Sequence, residues 1–551
     1  MILSGAGIVV EELVRHGAET IFGYPGGNVI DIYDELYKNS HRLRHILSAH
    51  EQGAAHAADA YARVSGKTSA VIATSGPGAT NLVTGIANAY LDSVPVVFIT
   101  GNVPVPMLGR DSFQEIDILG VTLPIVKHSY VVKSIADLQR TLREAFLIAG
   151  SDRKGPVLVD IPKCVQVDTC EYDNGLEVTL SCPARRPADL SGLDNALAAI
   201  KNSSRPYIYC GGGVTASNTG RGVLELSEMT GAPVGMSLMG VGSVPYSYEL
   251  NLGMCGMHGR YASTIAMSEA DLIISLGVRF SDRATGSIQG FAKSSTVIHI
   301  DIDAAEMGKN VKPDIVLRGN LREILPALIA KTEPCRNDLW LGRVCELKAG
   351  ESAPLSEGFT PRNIISRVND CFDDDTIIAT DVGQHQMWVA QYYRFEKPRK
   401  FITSGGLGAM GFGLGAAIGA SIASGRKRVV LFTGEGSFGM NLTELATAVT
   451  QNLPITIVLL NNSVLGMVRQ MQALFFDGRY SETTLERKTD FPALSRAFGA
   501  AGYAAASLQE LDEILKSAPD SGPCLIDCKI DPDEKVFPMI PVGGALRDML
   551  Y

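Results

Sequence analysis

The chain has 551 residues, enough for about three domains of ordinary size, and its 46% apolar and 20% charged residues are a globular balance. A formal net charge of -10 without a basic cluster excludes the electrostatic footprint of a nucleic-acid binder. The ten cysteines include no C-x-x-C pair, and the N-terminus opens into a helical pattern rather than a charged-then-apolar leader, so reduced thiols and a cytoplasmic home are expected.

In chain order, His45 to Ala49 reads as a strand and Gly53 to Val64 as a helix. Ala70 to Thr74 and Val94 to Thr100 read as buried strands flanking a helical Ala79 to Tyr90, which is βαβ logic and hence a parallel sheet covered by helices. Val157 to Ile161 closes this unit, and Cys182 to Pro187 reads as a linker. A second α/β region has strands at Pro206 to Cys210, Leu272 to Leu276 and Val297 to Ile302. A polar stretch around Lys331 to Phe359 separates it from a third, with strands at Thr376 to Thr380, Val429 to Phe432 and Ile455 to Leu460. Phe401 to Gly425 carries no charge, but its glycines at 405, 406 and 408 break a helix, so a packed loop and helix is expected rather than a membrane span.

The outer regions echo one another. Gly76-Pro77-Gly78 precedes Asn81-Leu82 and a strand opened by Pro95; Gly434-Glu435-Gly436 precedes Asn441-Leu442 and a strand opened by Pro454. Two related domains around a different middle one are expected.

The strongest local signal is Gly434 to Asn462. Ligands of open α/β sheets sit beyond the carboxyl ends of strands, and both polar tips here fall at such ends. Gly434 and Gly436 let backbone approach a phosphate, and the helix that follows offers its N-terminus to an anion. Glu435 and Asn462 supply oxygen ligands of the kind Mg²⁺ takes, with a carbonyl at Val464 to complete the set. Glu51 lies between a strand and a helix start, where the helix dipole favours a carboxylate and general acid–base work suits one.

The GxG turn, with 24 residues between Gly436 and Asn461-Asn462, is similar to the thiamine-diphosphate motif, with Glu435 where that family has Asp. HEQGAAHAADAYAR resembles the segment whose glutamate bonds the coenzyme's aminopyrimidine. Further segments are FGYPGG at Phe22, TSGPGATN at Thr74, DSFQE at Asp111, GMHG at Gly256, GVRFSDRATG at Gly277, VGQHQMW at Val382, ITSGGLGAMG at Ile402 and FPMIPVGGA at Phe537. Together, in order over nearly the whole chain, they resemble the acetohydroxyacid synthase (acetolactate synthase) catalytic-subunit family.

That resemblance implies three doubly wound parallel-sheet domains: pyrimidine-binding at 1–165, central FAD-binding type at 188–330 and diphosphate-binding at 358–530, with a C-terminal arm at 531–551. It implies thiamine diphosphate, Mg²⁺ and FAD as cofactors. Glu51 would promote the imino tautomer that removes the thiazolium C2 proton. Gly27 and Gln114 would lie near the reacting carbons, with Tyr24, Pro25 and Asn81 beside the coenzyme. Gly408 and Met410 would hold the aminopyrimidine, and Val382, Gln384, His385, Ser437, Leu465, Gly466 and Met467 would line the rest of its site. Arg283 would bind the acceptor carboxylate, with Phe113, Lys163 and Met471 in the substrate pocket. The flavin positions are Arg153, Gly211, Gly212, Gly213, Met257, His258, Gly277, Arg279, Asp301, Gly405 and Gly406, although Ser281 and Asn320 replace frequent Asp residues.

The implied reaction decarboxylates pyruvate and transfers the two-carbon unit to a second 2-oxo acid, giving 2-acetolactate or 2-aceto-2-hydroxybutyrate, the first step of branched-chain amino-acid biosynthesis. A homodimer or homotetramer with sites at the subunit interface is implied, without nucleic acid or membrane; whether a small regulatory subunit binds is left open by the sequence. The family's VRQWQ reads VRQMQ here, so Met471 is expected to weaken a preference for 2-oxobutyrate. Alternatives are a pyruvate oxidase, another carboligase such as one for glyoxylate, whose family lacks the glutamate at position 51, or a non-catalytic subunit.

Overall fold

The computed structural model describes residues 1–180, 187–351 and 358–551. Three six-stranded parallel sheets organise them. The first runs, across the sheet, Arg44–Leu47, Thr20–Tyr24, Ser69–Ala73, Val96–Asn102, Val157–Pro162 and His128–Val131. The third runs Phe401–Ile402, Ile377–Thr380, Val429–Thr433, Ile455–Asn461, Cys524–Lys529 and Ala501–Ala505. Numbered in chain order within each sheet, both read 2-1-3-4-6-5, so the echo in the sequence is a shared topology. The middle sheet reads 3-2-1-4-5-6, the order of dinucleotide-binding domains. Its central strands, Pro206–Cys210 and Leu272–Leu276, are buried on both faces, as their unbroken apolar runs require.

Most elements lie where the pattern puts them, with ends shifted by one or two residues. The helical run Ala79 to Tyr90 is two helices, Pro77–Asn81 and Val83–Leu91. The helix expected from Asn441 begins at Glu435, directly after the Gly434 turn. Ile2–Ser4 forms a short strand antiparallel to Thr169–Glu171 before the first helix, Gly5–Arg15. The polar stretch expected to separate the second and third regions contains a helix, Asp338–Glu351. Trp340, Leu341, Val344 and Leu347 are buried on it, and Trp340, Val344 and Leu347 pack in the central core with Tyr207 and Val297. Ile540, Leu546 and Met549 of the C-terminal arm join the same core. Of the expected linker, only Pro187 lies among the described residues.

The uncharged Phe401 to Gly425 segment is a short strand, a loop and the helix Phe412–Ala423. No helix among the described residues is long and apolar enough to cross a membrane. That helix packs instead on Glu51–Ser65 of the first domain. A Cβ on Gly415 would lie 2.8 Å from the Gly53 carbonyl oxygen, and one on Gly419 would overlap the Ala57 carbonyl. Small residues thus bring two helix backbones together and fix the first domain against the third. The cysteines among the described residues are unpaired.

Candidate active site

In a 2-1-3-4-6-5 sheet the crevice opens between the first and third strands. In the third domain those strands end at Thr380 and Thr433. Asp381 follows the first and is fully buried. Its Oδ1 accepts from Val382 N at 3.0 Å, Gly411 N at 2.8 Å and Ser437 Oγ at 2.8 Å. One carboxylate therefore ties together the turn at Val382, the loop carrying Gly408 and Met410, and the helix that begins at Glu435. Burial pushes its carboxyl pKa up, opposed by the hydrogen bonds from Ser437, Val382 and Gly411.

Around this hub the expected coenzyme residues assemble. A Cβ on Gly436 would meet Leu465 at 2.7 Å and Met410 at 3.8 Å, and one on Gly408 would meet Val382 at 3.9 Å. Gly408 has φ +70°, the left-handed region that glycine adopts without strain. His385 lies beside Gly434 with Nε2 buried and unpartnered, and burial lowers its pKa to about 3, so the ring is neutral. Glu435 is 3% exposed and its Oε1 has no partner. Burial raises its carboxyl to about 7. Asn462 Oδ1 accepts from Val464 N at 3.3 Å, and Asn462 Nδ2 donates to Gln384 Oε1 at 3.1 Å. Gln384 Nε2 donates to the Glu534 carbonyl at 2.7 Å, so the Gln384 side chain orients Asn462 and anchors the C-terminal arm. Gly466 packs against Gln384 and Asn462, and Met467 is half-buried.

No group of three or more His, Cys, Asp or Glu side chains among the described residues could hold a metal. One orphaned carboxylate, an amide and a backbone carbonyl instead suit Mg²⁺ that draws its remaining oxygens from a diphosphate. The Glu435 arm, about 1.5 Å longer than Asp, starts at the helix's first residue rather than on a free loop.

The corresponding crevice of the first domain lies beyond Tyr24 and Ala73. Glu51 opens its helix, 8% exposed, and Asn81 Nδ2 donates to its Oε2 at 2.9 Å. Gly78 lies beside Glu51, and Gly76 lies against the Gln114 backbone, itself at φ +59°. Lys163 Nζ donates to the Gly27 carbonyl at 2.9 Å. Tyr24, Pro25 and Phe113 are exposed at this mouth, Phe113 at 87%. Met471 lies half-buried on the helix Gly466–Phe475. Within one chain, the Glu51 carboxylate takes its hydrogen bond from Asn81 of its own domain.

In the central domain Gly211 and Gly213 meet Gly277 across the switch point of the sheet, where any side chain would overlap backbone. Their mutual packing accounts for the glycines without a ligand. Asp301 ends the next strand, and burial raises its carboxyl to about 6. His258 Nδ1 is buried without a partner, and burial lowers its pKa to about 4. An acid one strand from the switch point, at Asp301, suits the ribose of a dinucleotide such as FAD. Arg279 approaches Gly406, and Met239 approaches Gly405. Arg153 is spent on Asp303 at 2.9 Å, Glu306 at 2.6 Å and Ser93 at 2.9 Å. Arg283 is largely exposed and reaches Met257 Sδ at 3.0 Å. Asn320 caps the helix Leu321–Ile329 by accepting from Arg322 N at 3.0 Å.

Sequence reasoning passes over three groups here. Asp381 could have been found as the acid directly at a strand end before Val382. Arg63 donates to Asp59 at 2.6 Å, to Asp92 at 2.9 Å and to the Thr403 carbonyl at 2.9 Å. Asp92 accepts from Gly406 N at 2.7 Å, latching the glycine loop to the first domain. Only the i, i+4 spacing of Asp59 and Arg63 hints at this set. Glu444 has no local signal at all.

Three family models match: the N-terminal TPP binding domain of thiamine pyrophosphate enzymes over residues 3–121, their central domain over 193–328 and their C-terminal TPP binding domain over 381–528. The chain is 43% identical over 556 residues to the acetolactate synthase isozyme 2 large subunit of Escherichia coli, covering 100% of this chain and 99% of that one. It is 43% identical to the probable acetolactate synthase large subunit of Methanocaldococcus jannaschii, covering 100% and 95%. It is also 43% identical to the chloroplastic acetolactate synthase 3 of Brassica napus, covering 99% and 86%. Matched along its whole length by these relatives and in all three domains, the chain belongs to the acetolactate synthase large-subunit family of thiamine pyrophosphate enzymes.

Proposed function

We propose that the chain decarboxylates pyruvate and joins the two-carbon unit to a second 2-oxo acid, giving 2-acetolactate or 2-aceto-2-hydroxybutyrate. The observation that carries this reading is 43% identity over the full chain to an acetolactate synthase large subunit, together with a buried, unpartnered Glu435 oxygen at the expected metal position.

Thiamine diphosphate, when bound, supplies the electron sink for decarboxylation. Glu435, Asn462 and the Val464 carbonyl would hold Mg²⁺, which would neutralise the diphosphate. The amides at the start of the helix Glu435–Asn441 face the same anion. Met410 and Leu465 press on the coenzyme from the Gly436 side. Glu51, oriented by Asn81, would hold or release the proton shared with the coenzyme's aminopyrimidine. Gly27, Gln114, Lys163 and Phe113 wall the reacting carbons, and Arg283 pairs with the acceptor carboxylate. The residues at the central switch point would hold FAD, in a role without net redox chemistry.

The working unit is a cytoplasmic homodimer or homotetramer in which Glu51 of one chain meets the Gly434 to Asn462 segment of another. The relatives are named large subunits, which supports a small regulatory partner. The test is an anaerobic assay of the purified chain with pyruvate, thiamine diphosphate, Mg²⁺ and FAD. Acetolactate release is expected; its absence, or a requirement for oxygen as in a pyruvate oxidase, would overturn the reading.

A further inference from the structure

We infer that Glu444, a residue of the C-terminal domain, is a positioning residue for Glu51. The inference rests on the proposed role of Glu51.

Glu51 is the first residue of its helix, so its placement is set by the turn before it. The backbone N–H groups of Ala49 and His50 in that turn lie past the end of the strand Arg44–Leu47 and need an acceptor. Glu444 Oε1 accepts from both, at 3.1 Å and 2.9 Å. Its other oxygen accepts from Thr447 Oγ1 at 2.7 Å, and the side chain is 1% exposed. Both carboxylate oxygens are thus engaged in a site closed to water.

Gly53 gives an independent sign. A helical glycine costs about 1 kcal/mol against alanine, yet this one sits in the first turn of the Glu51 helix. A Cβ on Gly53 would overlap the Glu444 carboxylate. The first domain therefore keeps a gap in its own helix, and a carboxylate of the third domain fills it.

Glu444 also ends the segment that Glu435 begins. The helix Glu435–Asn441 runs directly into the 3₁₀ turn Leu442–Glu444. One short, buried stretch of the same chain joins the turn that aims Glu51 to the Glu435 turn, which in the proposed assembly serves the neighbouring site. A displacement of about 1 Å at a reacting group can cost about a hundredfold in rate, so the strut matters to chemistry and not only to domain packing.

The test compares Glu444→Ala and Glu444→Gln with the wild type in two measurements. In the coenzyme-free protein, hydrogen exchange is read at the Ala49 and His50 amides. With thiamine diphosphate and Mg²⁺ added, proton exchange at C2 of the coenzyme is followed by quenched NMR beside the coenzyme Kd. E444A is expected to expose both amides and to slow C2 exchange by about tenfold or more, with Kd held within about threefold. E444Q keeps an oxygen for the same two N–H groups and is expected to restore both. Equal losses in E444Q and E444A would overturn the inference. So would unchanged C2 exchange in E444A, or a Kd that rises in step with the loss. Should E444A not fold, Gly53→Ala and Glu444→Asp displace the carboxylate without removing it, and wild-type C2 exchange in both would overturn the inference. A wild-type chain that catalyses no C2 exchange would instead strike the proposed role of Glu51 itself.

Discussion

Replacing Gly419 by alanine adds one methyl group where two helices meet backbone to backbone. A helix-interior Gly→Ala change by itself stabilises by about 1 kcal/mol. Here the new Cβ would overlap the Ala57 carbonyl, which is held in the helix Glu51–Ser65 and cannot step aside alone. Overpacking costs about 1–3 kcal/mol, and an outright overlap with fixed backbone belongs to the upper part of that range, about 2–3 kcal/mol, so the net expectation is a loss of about 1–2 kcal/mol. For a domain of this size each kcal/mol moves Tm by about 2–4 °C, giving a fall of about 2–8 °C. Gly342 is the control. It lies inside the helix Asp338–Glu351, and a Cβ there meets nothing within 4 Å. G342A is therefore expected to raise Tm by about 1–4 °C at the same scan rate. G419A is also expected to lower turnover, because separating the helices moves the one that starts at Glu51, whereas G342A leaves turnover unchanged. A G419A midpoint at or above that of the wild type would refute the packing argument.

Glu51→Gln is expected to slow C2 proton exchange by about 10²–10⁴-fold, the range of a lost general acid–base, with coenzyme binding kept; an unchanged exchange rate would remove Glu51 from the reaction. Met471→Trp is expected to shift the product ratio from mixed pyruvate and 2-oxobutyrate toward aceto-hydroxybutyrate by about 1–3 kcal/mol of discrimination, and a constant ratio would show that this position does not select the acceptor. Asp160, 1% exposed and hydrogen-bonded to Thr100 Oγ1 at 2.7 Å and Asn102 Nδ2 at 2.6 Å, has its carboxyl raised by burial to about 7. The folded state holds this proton more tightly than the unfolded chain, so the contribution is fully present below the unfolded pKa and is lost as pH rises toward and through 7. Its size is at most on the order of 4 kcal/mol. Asp160→Asn should therefore compare better with the wild type in Tm at pH 8 than at pH 4.5, and a difference independent of pH would show that the carboxyl titrates normally.

The same physics explains what could be read early. Strands of a parallel sheet are buried on both faces, so Pro206–Cys210 and Leu272–Leu276 stand out as apolar runs and match the structure end to end. Polar tips at strand ends mark the ligand side of such a sheet, and the sequence places Glu51, Glu435 and Asn462 at tips of that kind. The helix Asp338–Glu351 was not, because charged residues surround its buried apolar face and mask the period.

Sequence alone determined the three α/β domains, because burial period and strand-end chemistry are local, and the ordered motifs along the chain determined the family. Tertiary structure alone decided which distant groups hold that site in place. Asp381 gathers three loops, Asp92 latches Gly406, and Glu444 reaches the Ala49 amide across 395 residues of chain. Each is an ordinary acidic residue in its own neighbourhood. Its meaning comes from donors that only folding brings within hydrogen-bond distance.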